Sequence, residues 1–501
     1  MTIEAGTADA GGESQGVPES NPRQGNARES RESRESDARA SRNAPPVFHP
    51  ACGFALPADW ITLGEPRVRF DPRPGPRASS EPPIGGRLKE RAEDFLVEEI
   101  PLYAPCGEGE HLYLGIQKTN MPHSEMLSLL CRHFNVEESA IGFAGMKDRV
   151  AVTQQTVSIH LPKDRQVGEL RHERLAVMWA MRHQNKLRRG HLKGNRFAIR
   201  VRGVDPLAVR TVKRRMEEVA RCGAPDYYGE QRFGYRVNSH LLGLLYARGE
   251  WQAVLDELLG AHGTPFPPHQ REQREMYERG AFEEGARRWK LHDPAELVAM
   301  RSLARGRDAA GAVRAIPAHI KSFWMSALQG AVYNATLAAR IRDQTYATML
   351  PGDVAMLAGT ASVFRVPADI SEGDLAHERA RCLEREVSPT GPVHGPSMVE
   401  ASGDALRYEL EALALVGAHE GLFAPPALEA LGARRPFRIE VSNWEIDAGV
   451  DLHGAFIRLA FDLPKGAFAT VLCRELLGFG VDRVGAWWQP RTAYRHHTAT
   501  P

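Results

Sequence analysis

No stretch of this sequence approaches the roughly 18 consecutive apolar residues that a membrane-spanning helix requires, and the N-terminus lacks the apolar segment of a secretory signal. A soluble, cytoplasmic protein is expected. Cysteine is scarce and scattered: Cys52, Cys106, Cys131, Cys222, Cys382 and Cys473 are the whole set, and none stands in a CxxC pair. Such spacing suggests neither a structural zinc site nor a disulfide framework, and it fits a reducing compartment. Charge of one sign is also missing, with 64 Lys and Arg against 63 Asp and Glu. Any polyanionic partner must therefore be met by local charge. A GxxxxGK[ST] phosphate loop is absent, so nucleotide hydrolysis is not expected. HSEML and the terminal RHH have no metal-ligand spacing, and neither a metal nor a cofactor is expected.

What is present is length: 501 residues, 42% of them hydrophobic, enough for more than one core. Residues 1–46 are Gly, Ser, Glu, Arg and Ala, with the repeat RESRESRES from Arg28 to Ser36, and read as a disordered tail. Further on, EDFLVEEIP sets Phe95, Val97 and Glu99 on one face of a strand, and HLYLGIQK, across the turn PCGEGE, reads as its partner. PHSEMLSLLCRHF places Met126, Leu127, Leu130 and Phe134 at helical spacing. VTQQTVSI and RFAIRVR read as strands, the second with a basic side. DPLAVRTVKRRMEEVARCG is a helix with Asp205 as N-cap, Pro206 at its first position and Gly223 beyond its end. From about Arg236 to Met325 the texture turns helical, a Gly/Pro-rich region follows to Pro396, and strand texture returns at AFIRLAFDL. This order predicts an α+β protein in which a helical insert interrupts a mostly antiparallel sheet.

Two local features carry chemistry. In FAGMKDRVAVTQQTVSI, Asp148 stands between Lys147 and Arg149 just before a strand. It reads either as a turn aspartate capping backbone N–H groups or as a nucleophile kept ionised by its two cationic neighbours. From Arg182 to Arg202 there are eight Lys and Arg residues and no acid. That run, with the glycines of LRRGHLKGN allowing close backbone approach, suits a phosphate backbone, and equally a solvated loop pairing with acids such as Glu98 and Glu110. Phe197 likewise reads both as core, from its alternation with Ile199 and Val201, and as a platform for a base.

Taken together, GFAGMKDRVAVTQQ (Gly142 to Gln155), NKLRRGHLKGNRF (Asn185 to Phe197) and APDYYGEQRFG (Ala224 to Gly234) resemble the TruD family of tRNA pseudouridine synthases. LKERAEDFLVEE (Leu88 to Glu99), SPTGPVHGP (Ser388 to Pro396) and LPKGAFATVLCREL (Leu463 to Leu476) add to the resemblance, and the segments keep the family's order. The resemblance implies a pseudouridine synthase fold, with a mixed, mostly antiparallel sheet flanked by helices, plus a large helix-rich α+β insertion domain. It implies a tail at 1–46, a catalytic domain at 47–226 and 435–501, and a family-specific insertion at 227–434 that forms a second wall for RNA. The implied activity is isomerisation of a tRNA uridine, uridine 13 of glutamate tRNA in the bacterial members, by a monomer without cofactor or metal. Asp148 corresponds to the catalytic carboxylate of the GxKD motif. Lys89, Phe95, Asn195, Phe197 and Phe468 correspond to residues around the target nucleotide, and Lys186, Arg188, Arg189 and Lys193 fall on the RNA backbone. Two rival readings stay open: a non-catalytic RNA binder using the same cleft, and a nucleoside hydrolase in which a second carboxylate, with Glu230 as the candidate, joins Asp148.

Overall fold

The computed structural model describes residues 60–478 except 64–69, 163–167, 291–292, 361 and 425–431, together with the short strands Val47–Phe48 and Ala55–Leu56. The expected tail at 1–46 lies outside the described residues, as do Trp487 and Trp488, whose sequence reads as packing of the final segment or as stacking on RNA.

The first half builds most of an eight-stranded sheet. Its elements are β1 (Phe95–Pro101), β2 (His111–Thr119), α1 (His123–Phe134), β3 (Ile141–Phe143), β4 (Val152–His160), β5 (Leu175–His183), β6 (Leu192–Arg202) and α2 (Val209–Cys222). Alternation sets the buried face of β6: Phe197, Ile199 and Val201 point into the core while Arg196 and Arg200 point outward. Helix α2 lays Val212, Met216 and Val219 on that face and ends at Gly223, whose φ of 88° a side chain would resist. Asp205 caps a 3-10 turn, Pro206–Ala208, that leads into α2 rather than α2 itself.

Beyond α2 the chain leaves the sheet for α3 (Ser239–Ala247), α4 (Trp251–Leu259), α5 (Arg271–Glu278), α6 (Phe282–Arg288), α7 (Pro294–Ala304), α8 (Ala309–Ala315) and α9 (Ala318–Arg342). The 25-residue α9 is buried along most of its length and is the axis of this helical core. Small residues let neighbours close in on it: a Cβ on Gly243 of α3 would meet the Trp324 carbonyl oxygen at 2.3 Å.

The Gly/Pro-rich region then forms a second, four-stranded antiparallel sheet in the order β8-β7-β9-β10. Its elements are β7 (Val354–Leu357), β8 (Val363–Arg365), α10 (Glu372–Leu383), β9 (Val387–Val393), α11 (Gly403–Val416) and β10 (Ala433–Pro436). Strand β9 holds Pro389 and Pro392 between two partners, where proline cannot donate to a ladder. The buried Arg434 of β10 supplies donors there, bonding the Thr390 hydroxyl and carbonyl while paired with Glu409 of α11.

The chain returns to the first sheet with β11 (Ser442–Asp451) and β12 (Gly454–Pro464) and closes with α12 (Ala469–Leu477). The order is β11-β12-β6-β1-β4-β2-β5, with β3 added on β4. Every pairing is antiparallel except β1 with β4, which gives the mixed, mostly antiparallel α+β fold expected. One expectation is corrected: β2 is not the partner of β1, because β4 inserts between them. The edge strand β5 was hidden in sequence by its exposed Met178, Trp179 and Met181, which break the inward alternation. Among the described residues no helix is long and apolar enough to cross a membrane.

Two buried histidines make acid sensitivity predictable. Burial pushes His240 and His394 down to about 4 from the ordinary 6.5, with the Arg434 charge adding to the effect at His394. A depressed folded value means stability present above pH 6.5 and lost as pH falls through about 4. The thermal midpoint is expected to drop across that window, and His394→Gln to flatten the drop; a midpoint constant from neutral pH to pH 4 would contradict this.

Candidate active site

Because β1 and β4 run parallel, the segment entering β1 and the loop entering β4 meet at one end of the sheet. The first brings Lys89 and the second Asp148. Strand β6 lies antiparallel beside β1 and brings Asn195 and Phe197, while the turn after β12 brings Phe468 at the N-cap of α12. These five line one cleft of about 480 Å3, together with Phe95 of β1.

Asp148 is 33% exposed there, and Lys89 Nζ sits 3.2 Å from its Oδ2. The Lys89 side chain is only 6% exposed, and its ammonium lies 4.1 Å above the ring centroid of Phe95. Lys89 has φ 56°, a left-handed conformation that costs a non-glycine residue on the order of 1–3 kcal/mol. The ion pair that sequence assigned to Lys147 and Arg149 is therefore made by Lys89. Lys147 turns the other way, to Glu99 Oε2 at 2.8 Å and Asn195 Oδ1 at 2.7 Å, as adjacent residues on an extended segment do. An ammonium only donates, so Asn195 must face it with its oxygen, which leaves Nδ2 to a ligand.

The aromatic residues divide by exposure. Phe95 is 1% exposed and supports Lys89 from below. Phe197 takes its core reading, packing edge-on to Phe95 at 6.2 Å and against Phe461 at 5.6 Å, and it also lines the cleft. Phe468 is half-buried, edge-on to Tyr228 at 6.3 Å, over a glycine where a Cβ would come within 2.8 Å of its ring.

Among the described residues Asp148 is the sole carboxylate lining the cleft; Gln231, not Glu230, reaches it. Sequence reasoning missed Glu99, the buried acid that holds Lys147. Its signal was its place on the apolar face of Phe95 and Val97, where a carboxylate needs a cation. The basic run separates into two halves. On β6, Arg196 pairs with Asp462 and Glu445, Arg200 with Asp451, and Arg202 with Asp94 and Asp451. On the preceding loop, Arg188, Arg189 and Lys193 are exposed and form no ion pair among the described residues. Arg189 lies 5.4 Å over the Phe143 ring, and Lys186 donates to the Ser139 carbonyl instead of facing solvent freely. No group of His, Cys, Asp and Glu among the described residues is arranged to hold a metal ion.

Residues 76–476 match the profile of the family tRNA pseudouridine synthase D (TruD). The chain belongs to the TruD family of tRNA pseudouridine synthases. Among curated TruD relatives, tRNA pseudouridine synthase D of Geobacter metallireducens is 38% identical over 401 residues, 80% of this chain and 96% of the relative. That of Thermus thermophilus is 32% identical over 397 residues, covering 79% and 90% respectively. A solved structure described as the putative TruD of Methanosarcina mazei superposes with a TM-score of 0.67, covering 82% of this chain and 97% of that one. At 24% identity it supports the TruD fold alone.

The Lys89 contact is testable. Lys89→Met keeps the aliphatic stem on Phe95 and removes the charge; kcat for pseudouridine formation is expected to fall about 100-fold, as when one preorganised donor is lost from a reacting site. An unchanged kcat would contradict the assignment.

Proposed function

We propose that this tRNA pseudouridine synthase isomerises uridine 13 of glutamate tRNA, with Asp148 as the reacting carboxylate. The observation that carries the reading is a cleft with a single carboxylate, ion-paired to Lys89 and still a third open to solvent. In the isomerisation the N1–C1′ bond breaks, the uracil turns and C5 bonds to C1′; C5 gives up a proton and N1 gains one, so the formula is unchanged. One ionised carboxylate suffices, either attacking the sugar or removing a sugar proton. A glycosidase-like hydrolysis would call for a second carboxylate, and the cleft offers none among the described residues.

A uridine in a helix stack is out of reach, and everting it costs a few kcal/mol. Stacking on an aromatic face returns about 1–3 kcal/mol per base, and Phe468 and Phe197 are the rings at the cleft surface. Asn195, its oxygen held by Lys147, presents Nδ2–H to an acceptor. Uracil O4 is an acceptor, whereas the N4 amino group of cytosine is a donor, so this contact favours uridine. Arg188, Arg189 and Lys193 supply phosphate contacts that set register rather than sequence.

A second cleft of about 780 Å3 adjoins the first through Lys465 and is lined by Lys193, Arg385 and Arg435. It runs between the first sheet and the insert, which supports RNA passing between a catalytic domain (47–226 with 435–501) and an insertion wall (227–434). The remaining parts of the reading, a monomer at work on cytoplasmic tRNA, rest on the family resemblance.

Asp148→Asn separates enzyme from binder. It is expected to abolish pseudouridine at position 13 while leaving tRNA affinity within about threefold, since phosphate contacts dominate affinity. Pseudouridine formed at the parental rate would sink the assignment, and free uracil released by the parent chain would favour hydrolysis.

A further inference from the structure

Behind the cleft, Lys118 at the end of β2 is fully buried with its charge. Its ammonium donates to the main-chain oxygens of Met121 at 2.8 Å and Asp148 at 2.7 Å, and reaches that of Lys147 at 3.5 Å. Three acceptors match the three N–H bonds of an ammonium. The loop it grips is otherwise weakly tied. Gly190 bonds the Ala144 carbonyl, and Asn120 bonds that of Ala151, whose own N–H turns back to Arg149. Among the described residues, the hydrogen bonds reaching the main chain of 145–148 are those from Lys118. The carboxylate of Asp148 is held from the front by Lys89, and its backbone from behind by a lysine on another strand.

We infer that Lys118 is the positioning residue of the reaction, fixing Asp148 by its main chain so that turnover, and not RNA binding, depends on it. This rests on the reading of Asp148 as the reacting carboxylate. A buried ammonium is costly to keep. Burial pushes Lys118 down to about 8 from 10.5, with the Asp148 carboxylate acting upward and the Lys147 ammonium downward. The other titratable neighbour is His123 at the start of α1, which burial first and Lys118 second push down to about 4, so it is neutral when Lys118 titrates. Lys89 stands on the far side of Asp148. At neutral pH all three donors are in place; as pH rises through about 8 one is lost and the loop is released.

The test uses the full chain with its tRNA and compares the parent, Lys118→Met and Asp148→Asn in single-turnover rate, tRNA Kd and pH profile. Lys118→Met retains stem length without donors. Its rate is expected to fall about 100-fold, the scale of a misplacement near 1 Å, with Kd within about threefold. The parent's rate is expected to decline above pH about 8, and the variant's slower rate to lack that decline. A folded Lys118→Met with parental rate, or one that loses affinity and rate together, overturns the inference. Should Lys118→Met fail to fold, the parent decides: a rate that declines above pH about 8 at constant Kd, with the chain still folded, supports the role, and a flat profile overturns it. Asp148→Asn keeps the two readings apart. If it remains active, the Asp148 assignment itself falls; if it is inactive while Lys118→Met is not, only the positioning role does.

Discussion

A lysine ammonium 3.2 Å from one aspartate oxygen, at the lip of a cleft rather than inside a core, is the contact on which this site depends. It exists because β1 and β4 are the sheet's one parallel pair, so the segments entering both strands arrive at the same end. An antiparallel pairing would have carried Lys89 and Asp148 to opposite ends of the sheet. A fully buried pair would have been costly to desolvate and closed to a nucleotide; a fully exposed one would have been weak and screened. The intermediate position pairs the carboxylate with a cation and leaves it a third open to solvent.

The same sorting of charge extends outward. Lys147, next to Asp148 in sequence, serves Glu99 and Asn195, so two lysines flank the cleft without competing for one acid. In the insert, buried pairs Arg340–Asp353 and Arg434–Glu409 set α9, α11 and the small sheet in place. Arg435 bridges further, pairing with Asp226 and donating to the Gly466 carbonyl in the turn that carries Phe468. The last strand of the small sheet, β10, thus reaches the turn before Phe468 through one guanidinium. Burial raises Asp226 to about 7, while the Arg435 charge acts against that rise.

Local pattern was legible where one physical rule acted alone. The alternation of Phe197, Ile199 and Val201 gave the buried face of β6, and the spacing of Met126, Leu127, Leu130 and Phe134 gave α1. The motif residues from Lys89 to Phe468 converge in one cleft, although periodicity says nothing of distances between segments 379 positions apart (468 − 89). Pairing was not legible: β2 looks like a hairpin partner of β1 because a good turn joins them, and only the sheet shows β4 between. Nor was the direction of charged side chains, since Lys147 and Arg149 flank Asp148 in the chain yet the cation at its carboxylate lies 59 residues earlier (148 − 89). Lys118 was invisible for the same reason: in HLYLGIQK it is one more polar residue closing a strand, and only the fold shows its ammonium sealed beneath the loop.

The account comes down to where one uridine sits. A crystal structure of the Asp148→Asn chain bound to glutamate tRNA would show it directly. The base of uridine 13 is predicted to lie everted in the cleft of about 480 Å3, against Phe468, with O4 on Asn195 Nδ2 and its C1′ within about 3.5 Å of the side chain at position 148. That uridine still stacked in its helix, or its base lodged in the neighbouring cleft beside Arg385, would contradict the account.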